Sequence, residues 1–238
     1  MRTLIARSNN LLLQGVLITV QIMKMHLPLL LRCLLIESLI APVTATLTWN
    51  SGDWNTTDES WLSEDSPSVF SNGDSVAFTA AAENATVTIT EIVEPAGMLV
   101  NAPGFVFTGH GSIAGAGGLT LAEGGTLKVE NSNAFSGGTE NATGCILEMN
   151  QYNSLGTTNP DTFAFGPLSG AGEVIINLES SGTQGAIIGN LWQEMRGVLY
   201  VKQGNVGLGK NPEHRGAGAY ASLGASQINV GADGKFFV

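Results

Sequence analysis

From Thr46 onward, apolar residues alternate with polar ones over four to six positions and then break at Gly, Asn, Asp or Pro. Ala85-Thr86-Val87-Thr88-Ile89-Thr90, Leu119-Thr120-Leu121 and Thr126-Leu127-Lys128-Val129 are examples, and the alternation recurs from Val198 through Val206 and Leu208. A period of two, carried by Val, Ile and Thr, puts one face of an extended chain into a core. No helical period is found in this stretch, and Pro67, Pro95, Pro103, Pro160, Pro167 and Pro212 would each interrupt a helix or a central strand. Gly and Asn between the runs supply the positive φ that tight corners require. The pattern predicts an all-β domain over 46–238.

The runs repeat, with unequal spacing. Gly115-Ala116-Gly117 returns 55 residues later as Gly170-Ala171-Gly172, each after a Phe-x-Phe run (Phe105-Val106-Phe107 and Phe163-Ala164-Phe165). Tyr152-Asn153-Ser154-Leu155-Gly156 returns 68 residues later as Tyr220-Ala221-Ser222-Leu223-Gly224. Propeller blades keep one size, whereas a coil tolerates loops of any length at its corners. The expected architecture is a right-handed parallel β-helix, or solenoid, of the pectate-lyase-like kind. Turns of about 20–25 residues would make roughly eight of them.

Residues 1–45 are of a different make. They hold Arg2, Arg7, Lys24 and Arg32 against a single acid, Glu37, and only one glycine, Gly15. A basic start, apolar runs and the small-residue exit Val43-Thr44-Ala45 predict a signal peptide cut after Ala45. Met23 and Met25 are equally good starts, since ordinary signals run about 15–30 residues. The longest uncharged stretch, Ser8 to Met23, has 16 residues. That falls short of the roughly 18–20 a span needs, so a membrane anchor is the weaker reading and no transmembrane span is expected in the mature chain. Arg32 stands where a lipobox before Cys33 would need a small residue. Cleavage then leaves Cys145 alone, without an internal disulfide, as a small buried hydrophobe.

The chain carries 20 acidic and 10 basic side chains, a net −10 that becomes −13 without the leader. That sign argues against nucleic acid as a partner, because such binding rests on cations against phosphates. A hydrophobic share of 43% is too high for a solvated coil.

Three segments resemble a known family. Gly117-Gly118-Leu119-Thr120, then Gly124-Gly125-Thr126-Leu127-Lys128-Val129, then Asn133-Ala134-Phe135-Ser136-Gly137-Gly138-Thr139 follow in order the pattern of the autotransporter-associated β-strand repeat. Leu121, Glu123 and Phe135 depart from it, where the family favours a basic residue, Gly and Tyr. Thr48-Trp49-Asn50-Ser51-Gly52-Asp53-Trp54, with Trp61 and Phe70 to Phe78, resembles the opening of such passengers. Leu223-Gly224 followed by Ile228 to Gly234 resembles their later strand unit. The resemblance implies an exported bacterial protein, at the cell surface, associated with the outer membrane or extracellular. It also implies a passenger truncated at its C-terminus, lacking a further segment or translocating barrel. Open solenoid ends would then favour self-association.

Several motifs suggest sites. Gly109-His110-Gly111 occurs in β-helical polygalacturonases, but the adjacent Asp pair and Arg-x-Lys those enzymes need are absent. Asn72-Gly73-Asp74 and Asn159-Pro160-Asp161 read as turns. The acidic run Asp53, Asp58, Glu59, Glu64 and Asp65 lacks a calcium-loop pattern and reads as a solvated face. Trp49, Trp54 and Trp61 fit a cap on the first turn better than a sugar platform. Gly115 to Gly118 lacks phosphate-loop spacing. Asn55, Asn84 and Asn141 begin glycosylation-type triplets that carry no weight in a bacterial protein. No catalytic, cofactor or metal residue is therefore assigned.

The sequence reading is a non-enzymatic surface or secreted passenger, a structural stalk or adhesin-like protein, with surface glycans or neighbouring cells as partners. The alternatives are a polysaccharide lyase or hydrolase on the same fold, or a glycan-binding module. Two carboxylates converging with Arg196, Arg215 or a Lys in one groove would favour the enzyme.

Overall fold

The structure, a computed structural model, describes residues 46–151, 153–156, 166–178, 186–188, 192–208 and 223–237. The leader, Asn159-Pro160-Asp161, Phe163 to Phe165, Tyr152, Tyr220 to Ser222 and Arg215 lie outside the described residues.

The chain winds through two sheets in alternation. β1 (Thr46–Trp49) lies in the first and β2 (Asp53–Trp54) in the second. A hairpin follows, β3 (Trp61–Ser63) with β4 (Ser66–Ser68), and then β5 (Ser75–Phe78) and β6 (Thr86–Ile89) rejoin the two sheets. β7 (Ile92–Val93) begins a short third side. The order repeats as β8 (Gly97–Val100), β9 (Phe105–Thr108) and β10 (Ser112–Ile113). It continues with β11 (Gly118–Leu121) and β12 (Thr126–Val129), β13 (Thr139–Asn141) and β14 (Ile146–Met149), and β15 (Leu168–Ser169) and β16 (Glu173–Asn177). β17 (Ala186–Ile188), β18 (Val198–Leu208) and β19 (Gln227–Phe237) extend the second sheet. Among the described residues every pairing between turns is parallel, and only β1–β3 and β3–β4 are antiparallel. The all-β expectation therefore holds, as long parallel sheets in a solenoid-like stack.

Register gives the true period. Ser75 lies opposite Gly97, Gly97 opposite Gly118, and Leu119 opposite Thr139. Hydrogen bonds between these inner turns accordingly join residues 20 to 22 apart. Turns with longer excursions separate bonded residues by 29 to 35. The Gly-Ala-Gly echo is not a register. Gly115 stands at the corner entering the first sheet, whereas Gly170 closes β15 and bridges to Met195.

Alternation along each strand places the same inward positions above one another. Phe105, Leu127, Leu147, Val174 and Leu199 form one column, and Val87, Phe107, Val129, Met149, Ile176 and Val201 the next. All are buried. Among the described residues the first turn has no turn beneath it, and aromatic rings cover it instead. Trp49, Trp54 and Trp61 are fully buried and pack with one another and with Phe70, Phe78 and Phe107 at centroid distances of 5.0 to 6.2 Å. Among the described residues no helix is long and apolar enough to cross a membrane.

Candidate functional site

The Gly-His-Gly corner is explained by the stack. Gly109 has φ +105°, and a Cβ there would lie 2.2 Å from the Ile89 carbonyl oxygen of the turn below; at Gly111 it would lie 2.3 Å from that of Glu91. Neither position admits a side chain, and His110 between them points into solvent. Asn72-Gly73-Asp74 is a bracket between turns. The Ser71 N–H donates to Asp74 Oδ2 at 2.8 Å and the Glu94 N–H to Asn72 Oδ1 at 2.8 Å.

The acidic run does not converge. Asn55 Nδ2 donates to Asp58 Oδ2 at 2.7 Å, while the Thr57 and Asp58 N–H groups donate to Asn55 Oδ1, tying up that loop locally. Glu64 and Asp65, with φ of +49° and +66°, form the two-residue tip of the β3–β4 hairpin. Among the described residues no group of three or more His, Cys, Asp or Glu could hold a metal ion. Cys145 is free and buried, as expected.

The three early tryptophans present no face to solvent. Their planes meet at 77° for Trp49–Trp61 and 72° for Trp54–Trp61, so they form no flat platform for a sugar ring. Asn141 is buried and donates to the Glu173 carbonyl at 2.9 Å, which removes it as a glycan acceptor.

Two features were not found from the sequence. The first is a buried polar rung. Asn133 Oδ1 accepts from the Ile113 N–H at 2.9 Å, and Asn133 Nδ2 donates to the Ser154 carbonyl at 2.8 Å, so one side chain spans three successive turns. Asn131 Nδ2 steadies it with a bond to Asn133 Oδ1 at 3.0 Å.

The second is a shallow groove of about 390 Å³ over the outer face of the first sheet, lined by Gly118, Thr120, Gly138, Glu140, Ser169 and Glu194. Glu140 pairs with Ser169 across β13–β15, and Glu194 precedes Met195, the bridge partner of Gly170. Glu140 and Ser169 thus lie opposite each other on neighbouring strands, and Glu194, in the turn just before the bridge, accepts from the Gly170 N–H at 3.2 Å. Arg196 reaches Glu194 at 2.9 Å. Only knowledge of the register could bring these residues together from the sequence.

On the second sheet, Lys128 lies opposite Glu148 and 2.6 Å from Glu130. The hydrogen bond from Lys128 to Glu130 raises the ammonium above its ordinary range, against a smaller lowering by burial.

Compared with family models, curated proteins and solved structures, the chain matches none of them.

Proposed function

We propose that this chain is a non-enzymatic exported passenger of the autotransporter β-strand repeat kind, acting as a surface spacer or adhesin-like scaffold. In this reading the solenoid is right-handed and pectate-lyase-like in architecture, as nearly all crossovers between parallel strands are right-handed. The observation that carries the reading is the pair of unbroken core columns on the second sheet. They spend the interior entirely on packing and leave function to the outer faces. Each added turn moves the end of such a stack outward by about 4.8 Å, which is what a spacer requires. The test joins residues 1–45 to a reporter and the whole chain to an epitope in a Gram-negative host. Protease-accessible epitope on intact cells, lost when residues 1–45 are removed, is the expected result. Retention in the cytoplasm refutes it.

Glu140 and Glu194 on one groove, with Arg196 bound to Glu194, favour a second reading, carbohydrate hydrolysis. Paired carboxylates flanking a glycosidic bond are the requirement. Against it, a general acid is normally withdrawn from water, whereas the Glu194 side chain is 76% exposed and neutralised by Arg196. A polysaccharide panel decides: product release that Glu140→Gln and Glu194→Gln each abolish would install the enzyme.

A further inference from the structure

Asn72-Gly73 is the one Asn-Gly step in the sequence. A glycine after asparagine leaves the backbone nitrogen without a side chain to shield it, so that nitrogen can reach the asparagine Cγ. Asn101, Asn133 and Asn141 are each followed by alanine, whose Cβ stands in the way. Ser71 to Asp74 form a tight turn, closed by the Asp74 N–H on the Ser71 carbonyl at 3.0 Å, with Gly73 at φ +96°. Asn72 and Gly73 are exposed, and a Cβ at Gly73 would meet nothing within 4 Å. Water and base therefore reach the step freely.

What the step lacks is freedom of its own two reacting groups. The Gly73 N–H donates to the Glu94 carbonyl at 2.8 Å, and Asn72 Oδ1 accepts from the Glu94 N–H at 2.8 Å. Nucleophile and electrophile are thus both tied to the backbone of one residue in the next turn. The Ala96 N–H on the Asp74 carbonyl at 2.9 Å carries the same pairing into β5 and β8, where Ser75 lies opposite Gly97. A bonded N–H gives up its proton less readily, and an amide held by its oxygen to the neighbouring turn is not free to swing its carbon onto the Gly73 nitrogen.

We propose that Asn72-Gly73 is a succinimide-forming modification site, held inert by the backbone of Glu94 and released when the turns carrying β5 and β8 part. On release, base takes the Gly73 N–H proton and the nitrogen attacks Asn72 Cγ. A C–N bond forms there, the bond from Cγ to the amide nitrogen breaks, and ammonia leaves with the returned proton. Water then opens the cyclic imide. Cleavage of the new bond at Cγ gives aspartate in a normal chain, whereas cleavage at the Asn72 main-chain carbonyl carbon gives isoaspartate. Isoaspartate routes the main chain through an extra methylene, which displaces the Gly73 nitrogen and the Asp74 carbonyl from Glu94 and Ala96. A corner that has reacted in this way does not close again, so the step records an opening permanently. This chemistry belongs to the fold and is independent of the surface-passenger reading.

The test incubates the full chain at mildly alkaline pH, with and without unfolding urea, and follows the peptide containing residue 72 by mass and by isoaspartate content. Conversion in the folded chain should be at least about tenfold slower than in urea, and the Gly73 amide should show hydrogen-exchange protection of the same order. Glu94→Ala keeps both backbone groups and should leave the slow rate unchanged. Glu94→Pro removes the N–H that holds Asn72 Oδ1, at a residue that already precedes Pro95. It should speed conversion about threefold or more in chains whose tryptophan fluorescence stays native. The purified isoaspartate form should lack Gly73 protection. Equal rates in folded and unfolded chain, an unprotected Gly73 amide, a natively fluorescent Glu94→Pro that reacts no faster, or an isoaspartate form that regains Gly73 protection would each overturn the proposal.

Discussion

Asn133→Ala should be among the most destabilising single substitutions outside the apolar core. The side chain is buried and bonds backbone groups of the turn below and the turn above, at 2.9 and 2.8 Å. Truncation leaves the Ile113 N–H and the Ser154 carbonyl without their partner. A buried orphaned group costs about 1–3 kcal/mol, so two cost about 2–6 kcal/mol. Asn131 already lies beside Asn133 Oδ1 and can swing toward Ile113, which brings the expected loss to about 3 kcal/mol. Asn133→Asp separates hydrogen bonding from packing. It keeps an acceptor for Ile113 but, when ionised, sets a buried carboxylate against the Ser154 carbonyl. Burial raises the folded titration of the introduced carboxyl above its unfolded one. The stability of this variant is then best at acid pH, where the group is neutral and can donate, and falls as pH rises past the unfolded value toward the folded one. Urea unfolding followed by tryptophan fluorescence measures the loss. Hydrogen exchange at the Ile113 amide reports the rung itself. If Asn133→Ala lies within about 1 kcal/mol of the parent, less than half the expected loss, and Ile113 keeps its protection, the rung carries no load and the reasoning fails.

The other expectations concern corners, charge and the ends. Glu123 sits at φ +54° beside Gly124 in a turn closed by the Gly125 N–H on the Ala122 carbonyl, so Glu123→Gly should stabilise by about 0.5–1 kcal/mol in thermal unfolding. Glu64→Asn with Asp65→Gly installs the pair that two-residue hairpins prefer and should add about 1 kcal/mol in thermal unfolding. The Lys128–Glu130 pair contributes below the pH where an unfolded lysine titrates, and its contribution disappears as pH rises through the raised folded value. Both side chains are about a third exposed, so Glu130→Gln should cost under about 0.5 kcal/mol at neutral pH and nothing above that value, measured by denaturant titration at each pH. Hydrogen exchange of dilute protein should be slowest in β5, β6 and β9, which enclose the aromatic cluster, and faster in β18 and β19; uniform protection would contradict turn-by-turn stability.

The strands themselves were readable because their inward rows are chemically distinct. Leu119 and Leu121, or Leu127 and Val129, alternate so cleanly with Thr120 and Lys128 that face and strand type follow directly. Register was not readable, because it depends on how much chain each corner spills out. The Gly-Ala-Gly echo does not give the register for that reason: glycine marks any corner where the backbone below passes too closely, and the equivalent Gly117 and Gly172 meet different backbones, at Pro95 and Ala142. The Glu140–Ser169–Glu194 line was hidden by the same uncertainty, since it spans two turns of unequal length. Asn133 was visible as one letter of a repeat, but its task is defined only by the strands above and below it. Glu123 shows the reverse case. Its departure from the repeat pattern marked a position where glycine is favoured, and the observed positive φ supplies the reason.

A stack of turns faces one energetic problem that an ordinary two-layer domain does not: its end turns have a neighbour on one side only. Backbone pairing and core columns are satisfied by a turn above and a turn below, so each terminal turn lacks half of both. At the first turn three tryptophans answer the loss of core. Each buries about 150–250 Å² of ring, worth roughly 4–6 kcal/mol on an area basis, which is an upper bound. The β3–β4 hairpin answers the loss of pairing and ends the sheet in a short strand with Pro67. At β19 neither device is present among the described residues, and Ile228 and Val230 remain part exposed at core positions.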